Sequence, residues 1–477
     1  MPILATFIVP HPPLIIPEIG GDRIKTIEKT VKAYETVAEE IASLKPETIV
    51  ITSPHSVMYA DCFHISPGKE AKGSFKQFDA PGVKFHEEYD TNLVKKIEEI
   101  SNNPECIQDA REGGYAFLKS DYYCTTLGEK DSNLDHGTMV PLFFIRQKYK
   151  EGKIVRIGLS GLPYEAHYLW GEIITKATED LGRKIVIVAS GDLSHKLQEY
   201  GPYGFAEEGV EYDKRIMDVC KRAAFDEMLE FDDHFCDRAA ECGHKSFIIM
   251  AGAWDGVSVR SKVYSHEDVT GVGYGICSFY PESKDDSRHF LKAYTERKIK
   301  ELNEKRDKED EYVRLARKTV NMYITEGRTP KVTDDLPEDM LNKKAGVFVS
   351  IHENDNLRGC IGTILPTTDC IAEEIIHNAV SASTRDPRFA PIREDELEAL
   401  EISVDVLNEP EDIDSPDELD VKKYGVIVYN KYKRGLLLPN LDGVDTIDEQ
   451  ISIAKSKAGI FDREEYSLQR FEVVRHY

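Results

Sequence analysis

The sequence contains no apolar run near the roughly 20 residues that a membrane-spanning helix needs. Its first residues lack a basic stretch followed by a long apolar stretch, so we expect no secretory signal. Nine cysteines are scattered without a Cys-x-x-Cys pair, and an odd, unpatterned set favours free thiols in a reducing compartment over a disulfide framework. These absences predict a cytoplasmic protein that does not enter membranes.

Basic residues are too few to balance the acidic ones. Lys and Arg number 61 against 86 Asp and Glu, which gives a formal net charge of −25. A field of that sign repels phosphate backbones, so nucleic acid is not an expected partner. The composition is otherwise near a globular average, with 41% hydrophobic and 31% charged residues, and 477 residues suffice for two or three domains.

One short segment, residues 296–311, is strongly charged, with 13 of its 16 residues being Asp, Glu, Lys or Arg. Charges of both signs at this spacing favour ion pairs along a solvated helix. We therefore interpret residues 286–311 as a charged helical linker. It separates a domain of residues 1–285 from a second domain of residues 312–477.

Before the linker, apolar runs rich in β-branched residues alternate with helical stretches, which is typical of parallel strands covered on both faces. The runs are Ala5–Val9, Thr48–Ile51, Lys153–Ile157 and Lys184–Val188. We predict an α/β fold whose N-terminal sheet is mainly parallel and flanked by helices. After the linker, segments such as Ile402–Val406 alternate apolar and polar residues, which predicts a separate C-terminal α+β domain.

Three histidines, His11, His55 and His195, directly follow three of these predicted strands. The carboxyl ends of parallel strands meet at one edge of a sheet, where ligands bind. Imidazole is a common ligand of iron, zinc and copper, and two imidazoles with one carboxylate on one face of a ferrous ion leave open positions. The pattern predicts a metal site. The alternative is that each histidine is a loop residue whose ring nitrogens are satisfied by hydrogen bonds.

The residues alone do not choose the carboxylate. Asp192 is nearest to a candidate loop, but it could instead orient the ring of His195. Glu241 lies among small residues and is the other candidate for the carboxylate ligand. Alternatively, it is an ordinary glutamate on a helix surface, or it forms a helical metal-binding pair with His244. His136 lies in a turn-like segment ahead of an apolar run, where it is either functional or a capped loop histidine.

Taken in order, these motifs resemble the class III (LigB-type) extradiol ring-cleavage dioxygenases over roughly residues 1–280. The resemblance rests on His11-Pro12-Pro13, Pro54-His55-Ser56, Asp135-His136-Gly137-Thr138, Ser190 to His195, and Glu241. It implies that His11, His55 and Glu241 hold non-haem Fe(II), with Zn, Mn or Cu as alternatives. It further implies that His195 is the acid/base and that His136 contacts the substrate or assists proton transfer. The implied reaction is cleavage of a small catechol-type aromatic substrate by O2.

Residues 312–477 resemble the AMMECR domain, chiefly through Asn356 to Gly362 and Ser383 to Phe389. Spacing assigns no role to Arg358 or Cys360 of the first motif. Cys360 is a candidate ligand or a thiol with an arginine nearby, or else a small buried residue. The pairing of domains is similar to the AmmeMemoRadiSam system, which implies a Memo-type protein and a radical-SAM enzyme as partners. We also expect a homo-oligomer.

Two other functions fit the sequence. Memo proteins share the dioxygenase fold but depart from its ligand set, so the chain could be a Memo-like metal-binding or partner-docking protein without dioxygenase activity. A zinc-dependent hydrolase or lyase in the same cavity is the other alternative. Metal storage needs neither His195 nor His136, which favours an enzyme, whereas the AMMECR domain favours docking.

Overall fold

The computed structural model describes residues 2–103, 123–127, 133–353, 356–441, 443–461 and 463–477. The chain divides into two compact units, Met1–Arg297 and Lys298–Tyr477. Among the helices of these described ranges, none combines the length and the apolar character that crossing a bilayer requires. The eight cysteines in the described part of the chain are all free thiols.

The first unit is built around a six-stranded sheet in which four parallel strands are completed at one edge by two antiparallel ones. In spatial order the strands are Lys153–Gly158, Thr48–Ser53, Ile185–Ser190, Ile3–Val9, Tyr274–Lys284 and Val257–Glu267. The parallel strands are the four predicted apolar runs, so the mainly parallel α/β sheet is confirmed. The antiparallel pair was not predicted, because Val257–Glu267 is largely solvated and mixes apolar with charged residues.

Both faces of this sheet are covered, because successive side chains of a strand point to opposite faces. All residues of Ile185–Ser190 are buried, with Ile187 in the core on one face and Val188 in the core on the other. Trp170 contributes to the first core and Tyr34 to the second. The helices in the described part of this unit are Pro17–Gly20, Glu28–Leu44, Thr91–Ser101, His136–Lys148, Tyr164–Leu181, Glu207–Arg222, Asp233–Ala239 and His244–Gly252, and a further helix, Phe290–Arg306, runs across the boundary between the two units.

Two smaller sheets complete the first unit. Phe63–His64 pairs with Cys124–Thr125, and Glu70–Phe75 forms an antiparallel hairpin with Ala80–Glu88. Short 3-10 helices connect several of the larger elements, at Pro13–Ile15, Gly21–Ile27, Lys76–Phe78, Phe225–Glu230 and Asp286–Arg288.

The second unit contains two antiparallel four-stranded sheets. One has the order Asn356–Gly362, Val347–Glu353, Leu400–Leu407 and Val473–His476, and the other Glu411–Ile413, Ser467–Phe471, Gly425–Tyr429 and Arg434–Leu437. The helices are Glu311–Glu326, Glu338–Asn342, Ile371–Thr384 and Ile447–Ala458, with 3-10 turns at Glu394–Ala399 and Pro416–Glu418. This unit is the separate C-terminal α+β domain that the alternating segments predicted.

The two ends of the predicted linker are packed rather than solvated. At its beginning, Leu291 lies in a core of the first unit. At its end, Glu309 is only 7% exposed, and its carboxylate accepts hydrogen bonds from Nε of Arg317 at 2.8 Å and from Nη2 at 2.5 Å. Asp310 accepts hydrogen bonds from the first backbone amides of the helix Glu311–Glu326. The second unit therefore includes the last residues of the charged segment.

We expect a fragment of residues 298–477 to be more stable than one of residues 310–477. The shorter fragment lacks Glu309 and leaves the mostly buried Arg317 without its carboxylate, which should cost about 3 kcal/mol of unfolding free energy. Urea titration followed by circular dichroism would measure the difference. Equal stability of the two fragments would show that the Glu309–Arg317 pair does not contribute to this unit.

Candidate metal centre

The carboxyl ends of three parallel strands lie side by side at the middle of the first sheet. Ile3–Val9 leads to His11, Thr48–Ser53 leads to His55, and Ile185–Ser190, which lies between them, leads to Asp192. Loops that leave neighbouring parallel strands at the same edge form a crevice for ligands. The predicted edge of the sheet therefore gathers side chains from distant parts of the sequence.

His11 and His55 face each other in this crevice. Their Nε2 atoms are 3.0 Å apart, and their rings are nearly perpendicular, with centroids 4.8 Å apart. His136, the first residue of the helix His136–Lys148, stacks on His55 at a centroid distance of 4.0 Å. These three histidines offer ring nitrogens that all lie within 4.8 Å of one another. His11 is buried and His55 is exposed, so the crevice opens to solvent.

A chain of hydrogen bonds determines which nitrogen of His11 points into the crevice. The hydroxyl of Ser190 donates to the carbonyl of Gly137 at 2.6 Å, so it accepts a hydrogen bond from Nδ1 of His11, 2.9 Å away. A proton on Nδ1 leaves the lone pair on Nε2, the atom that faces His55. Burial lowers the pKa of both His11 and His136 to about 3, so both rings are neutral at pH 7.

Cys242, which no sequence motif indicated as a site residue, also lies beside this cluster. Its Sγ lies 3.6 Å from Nε2 of His11, and the backbone amide of Asp192 donates to it at 3.3 Å. His11, Asp192 and Cys242 form a second group of ligand atoms within 4.8 Å of one another. Burial, followed by the negative charge of Asp192, raises the pKa of the Cys242 thiol. A bound cation would reverse that effect and favour the thiolate.

Two glycines allow Cys242 to approach His11. A β-carbon on Gly191 would lie 2.1 Å from the Cα of Gly243, so the loops containing Asp192 and Cys242 are in direct backbone contact. The amide of Cys242 donates to the carbonyl of Asp192 at 3.4 Å across this contact. Glycine is required here because no other residue permits two backbones to come so close.

We expect Gly191→Ala to lower both metal content and stability. The added methyl group would push the loop that carries Cys242 away from His11, and overpacking of this kind typically costs about 1–3 kcal/mol. Metal analysis after loading and thermal unfolding would measure the two effects. Gly82→Ala is the control, because a β-carbon there meets no atom within 4 Å. Normal metal content in Gly191→Ala would show that the close approach is not needed.

Glu241 does not join the two histidines as the resemblance implied. It belongs to neither group of neighbouring ligand atoms, and its Oε2 accepts a hydrogen bond of 2.5 Å from the backbone amide of His244. That amide begins the helix His244–Gly252, where a carboxylate is favoured by the unpaired N–H groups. Both ring nitrogens of His244 have protein partners, so a helical pair with Glu241 is not formed either. Sγ of the next residue, Cys242, lies 3.6 Å from Nε2 of His11.

Asp192 and His195 lie beside the cluster. Asp192 accepts a hydrogen bond from the backbone amide of His11 at 2.7 Å, and its other oxygen is 3.9 Å from Nε2 of His195. Burial raises the pKa of Asp192 to about 6, although His195 opposes the shift. Burial also lowers the pKa of His195, although the nearby carboxylate raises it. The ring of His195 stacks on Tyr203 and belongs to neither ligand group.

In the second unit, the structure gives Arg358 a structural role. Its Nε donates to Oε2 of Glu396 at 2.7 Å, and its Nη1 donates to the carbonyl of Ala390 at 2.8 Å. Glu396 is only 7% exposed, so this ion pair anchors the segment that follows the helix Ile371–Thr384. Cys360 is half-buried, and Oγ of Ser350 on the neighbouring strand lies 3.2 Å from its Sγ.

Two family models match this chain, one in each of the predicted domains. A family model described as the catalytic LigB subunit of aromatic ring-opening dioxygenase matches residues 5–277. The chain belongs to the LigB family. A second model, AMMECR1, matches residues 313–476, which confirms the predicted fusion of a LigB domain with an AMMECR domain.

One relative of this LigB–AMMECR1 chain matches it over nearly the full length of both proteins. A protein from Clostridium acetobutylicum is 41% identical over 471 residues, which are 98% of each chain. A protein from Thermotoga maritima is 45% identical over 170 residues, which are 35% of this chain and 98% of its own. The solved structure of an uncharacterised protein from Pyrococcus horikoshii is 30% identical, with a TM-score of 0.32, and covers 34% of this chain and 88% of its own.

Proposed function

We propose that the LigB domain is a metal-dependent dioxygenase that opens the ring of a catechol-type substrate. In this proposal His11, His55 and Cys242 hold Fe(II), and His195 moves protons. The observation that carries it is the position of Nε2 of His11, which lies 3.0 Å from Nε2 of His55 and 3.6 Å from Sγ of Cys242. Membership of a family named for aromatic ring opening supports the reaction class.

The donor set fits a first-row transition ion. Nε2 of His11 presents a lone pair 3.0 Å from Nε2 of His55, so a cation bound at this place would be within reach of both nitrogens. Burial and the charge of Asp192 raise the pKa of the Cys242 thiol, and such a cation would favour its thiolate. A thiolate also supplies the single negative charge that the carboxylate gives in a two-histidine, one-carboxylate site. Among the alternative ions, a sulfur ligand suits Zn or Cu better than Mn.

Iron would supply the exchange of electrons between the diphenol and O2, and the protein would supply proton transfer and orientation. A hydroxyl that binds a cation loses its proton more readily. His195 can accept that proton because its lowered pKa keeps the ring neutral at pH 7, and Asp192, 3.9 Å away, would stabilise the resulting imidazolium. His136 and Phe78, whose rings are 5.5 Å apart, form an aromatic wall near the exposed His55.

The activity can be tested with protein loaded anaerobically with Fe(II). Addition of air-saturated buffer with each of a panel of catechols should produce O2 uptake and a coloured ring-opened product. Protein loaded with Zn(II) is the matched control, because it fills the same ligands with an ion that cannot exchange electrons. If iron-loaded protein consumes no O2 with any member of the panel, ring cleavage is not its function.

The presence of Cys242 also favours a second candidate, a Memo-like metal-binding protein without ring-cleaving activity. Such a protein would use the same ligands for Zn or Cu and would need no proton transfer by His195. Tight metal binding without O2 uptake in the same experiment would identify this function. The zinc-dependent hydrolase or lyase has no separate observation in its favour among the described residues.

A further inference from the structure

The loop that carries His195 is held by hydrogen bonds of its backbone before and after that residue. The amide of Leu193 donates to the carbonyl of Gly273 at 2.9 Å, and the amide of Gly273 donates to the carbonyl of Ser194 at 2.7 Å. The hydroxyl of Ser194 accepts a hydrogen bond from the amide of Lys196 at 3.0 Å. The peptide groups that flank His195 therefore have defined orientations.

A buried carboxylate makes a further contact with this loop at Ser194. Asp213 lies on the helix Glu207–Arg222, is only 3% exposed, and accepts a hydrogen bond from the backbone amide of Ser194 at 2.8 Å. A β-carbon on Gly273 would lie 2.0 Å from Oδ2 of this carboxylate, so glycine is what allows the backbone to approach it. Hydrogen bonds that involve a charged group are roughly twice as strong as neutral ones. Asp213 therefore fixes the residue directly before His195.

His266 is the second partner of this carboxylate. It lies on the edge strand Val257–Glu267, its side chain is 37% exposed, and its Nε2 is 2.8 Å from Oδ2 of Asp213. An ionised carboxylate only accepts hydrogen bonds, so Nε2 of His266 is the donor. The hydrogen bond to Asp213 raises the pKa of His266, although burial opposes the shift. Burial raises the pKa of Asp213, and the hydrogen bonds from His266 and Ser194 oppose that shift.

We propose that Asp213 and His266 are positioning residues for His195. They hold the backbone at Ser194, so that the imidazole of His195 stays beside Asp192, 3.9 Å away. Asp213 acts through Ser194, and His266 acts through Asp213. A displacement of about 1 Å at a reacting group can cost roughly 10²-fold in rate, so a proton-transfer group needs such support. The role in turnover rests on the proposed ring cleavage, in which His195 moves protons.

The direction of the Asp213–His266 pair favours positioning over general stabilisation. Replacement of a buried ion pair by apolar residues is often neutral or stabilising, so such a pair is weak evidence for stability alone. The carboxylate of Asp213 instead links one backbone amide of the His195 loop to a side chain of the edge strand. Apolar residues could fill this space, but they could not accept a hydrogen bond from the amide of Ser194.

Hydrogen–deuterium exchange of the full-length protein, measured on peptides that cover residues 193–197, tests the contact without metal or substrate. In Asp213→Ala the amide of Ser194 loses a charged acceptor, so its exchange should be about 10–100-fold faster. Asp213→Asn should exchange nearly as slowly as the wild type, because its amide oxygen can accept from Ser194 and its amide nitrogen can donate to a neutral His266. Unchanged exchange in Asp213→Ala would overturn the proposal.

Two further variants make this experiment specific. Asp218→Ala is the matched control, because Asp218 lies on the same helix but is exposed and pairs with Arg222 at 2.7 Å. Equal acceleration in Asp218→Ala and Asp213→Ala would overturn the proposal. His266→Ala removes a partly exposed side chain and should accelerate exchange roughly twofold to fivefold, the effect of one partly solvated ion pair. It decides the question if Asp213→Ala does not fold, and unchanged exchange in His266→Ala would then overturn the proposal.

Turnover of the iron-loaded protein distinguishes positioning from a loss of general stability. Asp213→Ala should lower kcat by roughly 10–100-fold while iron content and the KM for the catechol stay nearly unchanged. Asp213→Asn should recover most of kcat. Loss of iron in Asp213→Ala, or a loss of kcat that asparagine does not restore, would overturn the role in turnover. Absence of O2 uptake by the wild type would instead refute ring cleavage, and the exchange experiment would still decide whether the pair holds the His195 loop.

Discussion

Cys242→Ser should lose its metal, whereas Glu241→Gln should keep it. Serine would leave a neutral hydroxyl beside His11 in place of a thiolate, so the ion would have two neutral imidazoles and no anionic ligand. Loss of an outer hydrogen-bonding partner alone weakens metal binding by about 10–100-fold, so loss of a direct ligand should exceed about 100-fold. Glu241 bonds to a backbone amide and belongs to neither ligand group.

Competition with a chelator after loading with Fe(II) or Zn(II) would measure these affinities. Loading with Co(II) adds a spectroscopic test, because a bond between Co(II) and a thiolate gives a near-ultraviolet absorption band that Cys242→Ser should lack. His55→Ala serves as the reference for a variant that lacks one ligand. If Glu241→Gln released its metal as fully as His55→Ala while Cys242→Ser retained it, the ligand set read from the geometry would be wrong.

His195→Ala should keep its metal but turn over roughly 10²–10⁴ times more slowly, the usual contribution of a positioned proton-transfer group. His195 lies outside both groups of ligand atoms, and its Nε2 is 3.9 Å from Oδ2 of Asp192. Its substitution therefore removes proton transfer without removing a ligand. Metal content and O2 uptake must be measured on the same preparation, so that the two effects are separated.

His86→Ala provides a control for the loss of an imidazole elsewhere, because His86 is an exposed histidine paired with Glu70 at 2.7 Å. We expect His86→Ala to leave both metal content and O2 uptake unchanged. His136→Ala should alter substrate affinity or rate more than metal content, since its ring is partly exposed and stacks on the exposed His55. If His195→Ala lost as much metal as His55→Ala, His195 would be a metal ligand. Its assignment as the acid/base would then be wrong.

The parallel strands of the first sheet could be predicted because each of them is a continuous run of apolar residues in the sequence. A parallel strand buried on both faces needs apolar residues in succession, and Ile3–Val9, Thr48–Ser53 and Ile185–Ser190 all have them. Topology then places the residues that follow these strands together, which is why His11, His55 and Asp192 lie at one edge of the sheet. No comparable pattern marks Val257–Glu267, whose mixed side chains reflect an edge exposed to solvent.

Cys242 could not be predicted by the same reasoning. It lies in a loop between the short helices Asp233–Ala239 and His244–Gly252, where no strand fixes its direction. Its position depends on the backbone contact between Gly191 and Gly243, and neither glycine is distinguishable from a turn residue in the sequence. The neighbouring Glu241 matched a family motif and was therefore selected, but its carboxylate is used at the start of a helix.

The order of strands in the first sheet has a consequence for folding during synthesis. Ile3–Val9 is made first, yet its two neighbours, Ile185–Ser190 and Tyr274–Lys284, are made much later. Until both have left the ribosome, the earliest strand has unpaired N–H and C=O groups on both edges, and such edges pair readily with other chains. Closure of the sheet and the approach of Cys242 to His11 both require residues that are made long after the first strand. A nascent chain that stalls before Ile185 has neither a paired first strand nor the Cys242 thiol beside His11.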